Sequence, residues 1–337
     1  MSIKTPSTTR LWAGIDLAKA TFQLALWGHE EIRPMRVASF KRNRQGCKKA
    51  MTWLREETPE GASVGVVMEA TGALAEETAG WLLSLDPTLH IAIVNPIQTS
   101  AFIRSLGLRN KTDDLDAKAL AQYGAQRKPG DWMPMPPEFQ ALRELTRTRT
   151  DLIGARTAMM LRLKDHKRLT KLVPQAMRAV IRTLDSQIAR LDGAIQDHLE
   201  AHEILEAQTQ IGQSIKGIGL VTAATVLAEM GDLRRFPRSR QLTAFAGLSP
   251  RQYLSGTSVH GRSPMCKRGS GRVRAALFMA AVCAVRFNPD MAEVYNRLIE
   301  KGKHKRVALG AVMRKLLVTM RALAIADKLW QPKAETA

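Results

Sequence analysis

Four acidic residues in the first third of the chain could hold a hard divalent cation, and a serine-rich segment in the last third could supply a nucleophile. Asp16 closes the apolar run Leu11-Trp-Ala-Gly-Ile-Asp16, and Glu69 directly follows the valine-rich run Ala62–Met68. Asp113 and Asp116 stand three apart in a segment that reads as a helix, so both project from one face. If the two runs are neighbouring strands, the four carboxylates converge. Such a cluster raises its own pKa values unless cations offset it, and hard oxygen donors suit Mg²⁺ or Mn²⁺. Two such ions about 3.5–4 Å apart can clamp the attacking and leaving oxygens of a phosphodiester. Taken singly, each acid reads as well as a solvated strand end or, for Asp113 and Asp114 behind Thr112, as a helix start.

The segment after Ala244-Phe-Ala-Gly-Leu-Ser-Pro-Arg251 carries Tyr253, Ser255, Gly256, Thr257, Ser258, Gly261 and Ser263, followed by Lys267, Arg268, Gly269, Arg272 and Arg274. Small residues let a hydroxyl approach a DNA backbone, and the cations neutralise phosphate. A serine needs a base or a metal to become a nucleophile. Ser/Gly/Thr-rich stretches are also ordinary loops, and the residues alone do not choose among Ser255, Ser258, Ser263 and Ser270. Upstream, Ile215-Lys-Gly217-Ile218-Gly219 before the apolar stretch Leu220–Met230 resembles a helix–hairpin–helix turn. There Lys216, Gly217, Gly219 and the following helix amides would meet a phosphate without reading sequence. Arg251, Lys267, Arg268, Arg272 and Arg274 are further candidate backbone binders.

The elements that must position these groups change character along the chain. Strands at Leu11–Asp16, Thr21–Trp27, Ala62–Met68 and His90–Val94 alternate with helices at Arg44–Glu56 and Thr112–Gln126, which predicts an α/β sheet domain over residues 1–131. Trp132–Pro137 holds three prolines and reads as a linker. Over residues 138–208, Met177, Ile181, Leu184, Ile188, Leu191 and Ile195 form an a/d seam. That seam predicts a coiled coil or long helical hairpin, used for dimerisation or for packing on its own domain. Residues 211–328 read as a mainly helical, basic domain, and 329–337 as a polar tail.

The 337 residues carry 51 Lys and Arg against 31 Asp and Glu, a net charge of +20, with 45% hydrophobic residues. A folded protein with a polyanionic partner follows, nucleic acid first. The longest apolar run, Ala275–Val285, is too short to span a membrane, where about 20 residues are needed. The polar N-terminus lacks a signal-peptide core. Three scattered cysteines make neither a disulfide framework nor a zinc site. The expectation is a bacterial cytoplasmic, nucleoid-associated protein that engages no membrane.

Several ordered motifs carry a resemblance. Gly14-Ile-Asp16-Leu-Ala-Lys19, Met68-Glu-Ala-Thr-Gly72, Val94-Asn-Pro96 and Leu108-Arg-Asn-Lys-Thr-Asp-Asp-Leu-Asp-Ala117 stand in the first half. Gly217-Ile-Gly219, Ala244–Arg251, Ser255-Gly-Thr-Ser258 and Leu309-Gly-Ala-Val-Met-Arg-Lys315 stand in the second. Over nearly its whole length the chain resembles the insertion-sequence 110 (110/116/902) family of transposases. The resemblance implies an RNase H-like (RuvC-like) N-terminal domain with an Asp-Glu-Asp-Asp metal site at Asp16, Glu69, Asp113 and Asp116. It makes Asp114 a bystander and implies a C-terminal transposase domain with Ser255 as nucleophile, forming a covalent serine–DNA intermediate. Magnesium, element ends and target DNA, a structured noncoding guide RNA and a dimer or tetramer follow as implied cofactor and partners. Relatives carry a serine where this chain has Cys266. Two other readings of the same residues are a Holliday-junction-type endonuclease that activates water, and a non-enzymatic nucleic-acid scaffold.

Overall fold

A mixed sheet organises the first part of the molecule. Strands β1 (Arg10–Leu17), β2 (Thr21–Trp27), β3 (Arg36–Lys41), β4 (Ser63–Glu69) and β5 (His90–Val94) lie in the order β3-β2-β1-β4-β5. The pairings β2–β3 and β1–β2 are antiparallel, whereas β1–β4 and β4–β5 are parallel. Helices α1 (Arg44–Glu57), α2 (Ala73–Leu85), α3 (Pro96–Ser105) and α4 (Asp113–Arg127) complete this part. The computed structural model describes residues 10–27, 36–107, 110, 112–165, 170–251, 254–255, 259–260 and 264–332. It divides into two compact units, Met1–Pro134 and Met135–Ala337.

The central strand β1 is buried from Leu11 to Ile15, as a strand covered on both faces must be. Side chains alternate between faces. Leu11, Ala13 and Ile15 join Val66, Met68, Cys47, Ala50 and Leu82 in one apolar layer. Trp12 and Val67 join Leu120 and Tyr123 of α4 in another. The sequence expectation missed β3, α2 and α3. β3 has no clean alternation because it is a half-exposed edge strand, and α3 starts behind Asn95, whose side chain accepts from the Ile97 amide, with Pro96 in its first turn.

Among its described residues, the second unit is helical apart from one short ribbon. It comprises α5 (Pro137–Asp165), α6 (Leu172–Glu200), α7 (Glu203–Ser214), α8 (Leu220–Met230), α9 (Ser239–Phe245), α10 (Gly271–Phe287), α11 (Pro289–Glu300) and α12 (Lys305–Ala326). Pro137 begins α5 rather than ending the linker, since proline fits the first helical turn. Helices α5 and α6 pack together as a hairpin, and α5 also packs on α8. The seam residues are the less exposed stripe of α6, with Ile195 fully buried. Where a loop was expected after Arg251, residues Leu254–Ser255 (β6) and Val259–His260 (β7) pair as an antiparallel ribbon. No single described helix is long and apolar enough to cross a membrane.

Candidate catalytic site

The last parallel pair of β1 and β4 is Ile15 with Met68, so Asp16 and Glu69 are the next residues on adjacent strands. Strand alternation puts both on the face that carries Trp12, Gly14 and Val67, the face covered by α4. Gly14 lets that helix come close. A Cβ there would lie 2.1 Å from the Ala117 carbonyl oxygen and 2.3 Å from the Ala121 amide nitrogen. Gly124, near the other end of α4, similarly abuts Trp12. The helix therefore runs antiparallel to β1, and its first turn, with Asp113 and Asp116, lies at the Asp16 end.

Thr112 caps α4, its hydroxyl accepting from the Leu115 amide at 3.3 Å. Burial, and then the charges of Asp116, Asp113 and Glu69, push the Asp16 carboxyl up to about 6 against one lowering hydrogen bond from the Leu17 backbone. Glu69, Asp113 and Asp116 thus each lie within electrostatic reach of Asp16. None of the four forms an ion pair with a Lys or Arg among the described residues. Equally, among the described residues no three of them converge at common ligand distance. Glu69 is tethered: the fully buried Thr99 on α3 donates its hydroxyl to Glu69 Oε1 at 2.5 Å. Sequence reasoning did not find Thr99; its signal was the Val94-Asn-Pro96 helix start three residues earlier. Asp114 is exposed in the same turn.

In the second unit, Ser255 pairs with Val259 across the ribbon. Below it a backbone ladder fastens the two limbs. The Arg251 amide donates to Pro264 O at 2.8 Å, Cys266 N to Ser249 O at 2.8 Å and Lys267 N to Gly247 O at 3.1 Å. Cys266 thus contributes its backbone amide to this ladder. Lys267 adopts a left-handed φ of 55°. Arg274 Nη1 donates to Gly269 O at 2.8 Å and Ala246 O at 3.3 Å, tying the ribbon's exit to its entry. Arg272 pairs with Asp151 at 2.9 Å. Arg251, Lys267 and Arg268 are exposed. Ser270 has a different task from a nucleophile: its hydroxyl accepts from the Val273 amide as the cap of α10 and donates to Glu229. Tyr253, Ser258 and Ser263, together with Gly256, Thr257 and Gly261, lie outside the described residues.

The glycine turn before α8 is built against another helix. Gly217 has φ 106°, and a Cβ there would meet the backbone of Ala284 at 2.7 Å. Asn288 Nδ2 donates to Lys216 O at 3.3 Å, leaving the Lys216 side chain exposed. Gly219, the N-cap of α8, offers no side-chain acceptor to the first amides.

Known proteins resemble the chain along both units. A DEDD transposase family model matches residues 13–174, and a model described as "Transposase IS116/IS110/IS902 family" matches 210–296. The pilin gene-inverting proteins of Moraxella bovis and Moraxella lacunata are each 32% identical over 321 residues, covering 94% of this chain and 96% of theirs. The chain belongs to the IS110/IS116/IS902 family of transposases. A transposase for insertion sequence element IS1111A from Coxiella burnetii is 28% identical over 81% of this chain and 77% of its own. The molecule is accordingly a DNA-binding recombinase enzyme, and the acidic cluster falls in the first matched region and Ser255 in the second.

Proposed function

We propose that this transposase cuts and rejoins DNA to excise and insert its own element, with Asp16, Glu69, Asp113 and Asp116 holding divalent metal and Ser255 as the nucleophile. The observation that carries the reading is the gathering of four carboxylates at one end of β1, β4 and α4, with no Lys or Arg paired to any of them among the described residues. Such a donor set suits a hard cation, Mg²⁺ or Mn²⁺. When bound, the metal supplies charge neutralisation at the scissile phosphate. The residues' own part is to hold it: Asp16 and Glu69 from the sheet, Asp113 and Asp116 from the helix start.

Ser255 sits on a ribbon whose limbs are fastened by backbone hydrogen bonds, which suits a hydroxyl that must reach into DNA. Its Oγ would bond to phosphorus as one deoxyribose oxygen leaves with a proton. The DNA phosphodiester becomes a serine phosphodiester, and the reverse step rejoins a new end. This chemistry would serve excision, insertion or the inversion for which two relatives are named. Lys216, Gly217, Gly219, Arg251, Lys267, Arg268, Arg272 and Arg274 supply candidate backbone contacts. The +20 charge suits a protein that carries a structured guide RNA as well as DNA. The RuvC-like domain assignment and oligomerisation through the α5–α6 hairpin complete the reading. The hairpin's far end supports the latter, with Met160, Leu161 and Leu172 exposed.

Calorimetric titration with Mn²⁺ tests the metal site. Wild type should bind, and Asp16→Ala should lose most of that heat while keeping DNA affinity. Equal binding by both proteins would contradict the site.

A further inference from the structure

One buried charge in the second unit has no part in the reading above. Glu229, on the apolar helix α8, keeps only 6% of its side chain exposed. Arg147 of α5 grips it as a fork, Nε to Oε1 at 2.6 Å and Nη2 to Oε2 at 3.0 Å. The same Oε2 accepts from Ser270 Oγ at 3.0 Å. Ser270 is where the serine ribbon ends and α10 begins. One turn further along α5, Asp151 takes Arg272. Residues i and i+4 of one helix share a face, so a single face of α5 holds the ribbon's exit at two successive points with opposite charges.

Stability is a weak explanation of the arrangement. A buried ion pair is commonly no more stabilising than apolar residues of the same volume, and its attested advantage is to fix one geometry. Here the geometry fixed is that of Gly269–Ser270, whose other constraints are Arg274 on Gly269 O and the ladder to Gly247. Gly269 is packed so closely on α9 that a Cβ would fall 2.1 Å from Phe245 O. A ribbon anchored this firmly at its exit presents Ser255 from a defined base.

We infer that Glu229 is a positioning residue for the serine ribbon, using Arg147 and Ser270 to lock the ribbon's exit to helix α5. The inference rests on the assignment of Ser255 as nucleophile. It places no charge at the reacting atoms: Glu229 acts through Ser270 on the backbone that carries the ribbon.

The test uses the full-length protein with its co-purifying RNA and labelled DNA spanning the element's ends. The double variant Arg147→Met/Glu229→Met removes both charges of the pair and takes the carboxylate acceptor from the Ser270 hydroxyl; it should fold with a melting temperature close to wild type. Hydrogen exchange at the Arg251, Cys266 and Lys267 amides should quicken about tenfold or more while α8 and α12 stay protected. Covalent DNA adduct should form about 100-fold more slowly at saturating DNA, with binding unchanged, because small misplacements of a reacting group cost that much. Wild-type exchange and wild-type adduct rate in a folded double variant would overturn the inference. If the double variant does not fold, Ser270→Gly keeps an acceptable helix cap but lacks the hydroxyl, and Ser270→Thr restores it. Loss in the first and recovery in the second support the tether; equal behaviour of the two overturns it. A wild-type protein that forms no adduct at Ser255 would instead overturn the nucleophile assignment, and the exchange data would still decide whether the tether exists.

Discussion

Thr99 Oγ1 and Glu69 Oε1 lie 2.5 Å apart, a buried hydroxyl on α3 holding the one candidate ligand that ends β4. A ligand carboxylate fixed by such a partner loses less freedom on binding metal, and removing the partner typically weakens affinity about 10–100-fold. Thr99→Val should therefore lower Mn²⁺ affinity by about tenfold in calorimetry, and Thr99→Ser should recover most of it. Undiminished affinity in the valine variant would show that Glu69 needs no tether.

Asp16 makes the metal-free protein sensitive to pH. Its carboxyl is pushed up to about 6, above the ordinary carboxylate value of 3.8. The folded state therefore binds more protons than the unfolded state between those values, and stability falls as pH rises across that window before levelling off. Near neutral pH, Asp16→Asn should stabilise the metal-free protein by about 1 kcal/mol, a figure discounted because the group is partly solvated. Chemical denaturation with chelator present checks this, and recombination should be abolished in the same variant. A variant less stable than wild type at neutral pH would mean that the Asp16 charge is compensated.

Glu229 has the opposite sign. Burial alone would raise its carboxyl, but the hydrogen bonds and charge of Arg147, the Ser270 hydroxyl and the charge of Arg143 outweigh it and hold it below the ordinary range. Its contribution is thus complete above the unfolded value of 4.5 and is lost as pH falls through the lowered folded value. Acid unfolding monitored by circular dichroism should begin at higher pH in wild type than in Arg147→Met/Glu229→Met. Identical acid transitions would mean that the pair is not titrating.

Gly14→Ala tests the seating of α4. The added methyl group meets backbone rather than a yielding side chain, and overpacking of this kind costs about 1–3 kcal/mol. Denaturant unfolding should show that loss. Metal affinity should fall with it, because Asp113 and Asp116 ride on α4. A variant as stable as wild type would place the helix farther from β1 than described.

Much of the first unit was legible because its signals are local. The strands at Thr21–Trp27 and His90–Val94 have the bounds read from sequence, and α1 ends one residue later than expected. The parallel pairing of β1 with β4, which the expected convergence of the acids required, could be posed from the sequence but not decided, since strand order is a long-range property. Gly14 read as part of a motif, yet its reason lies in Ala117 and Ala121, about a hundred residues away. In the second unit the α5–α6 hairpin is one of the forms the seam left open, whereas β6–β7 is too short to show alternation. Glu229 was invisible inside an apolar helix because its partner, Arg147, is 82 positions distant.

The most direct test of the central claim is a denaturing adduct assay. Protein, Mg²⁺, co-purifying RNA and labelled DNA spanning the element's ends and junction are incubated and then denatured. The account predicts label migrating with wild-type protein and absent from Ser255→Ala. Free cut ends without a protein-linked band, unchanged in Ser255→Ala, would contradict it and point to a water-activating nuclease.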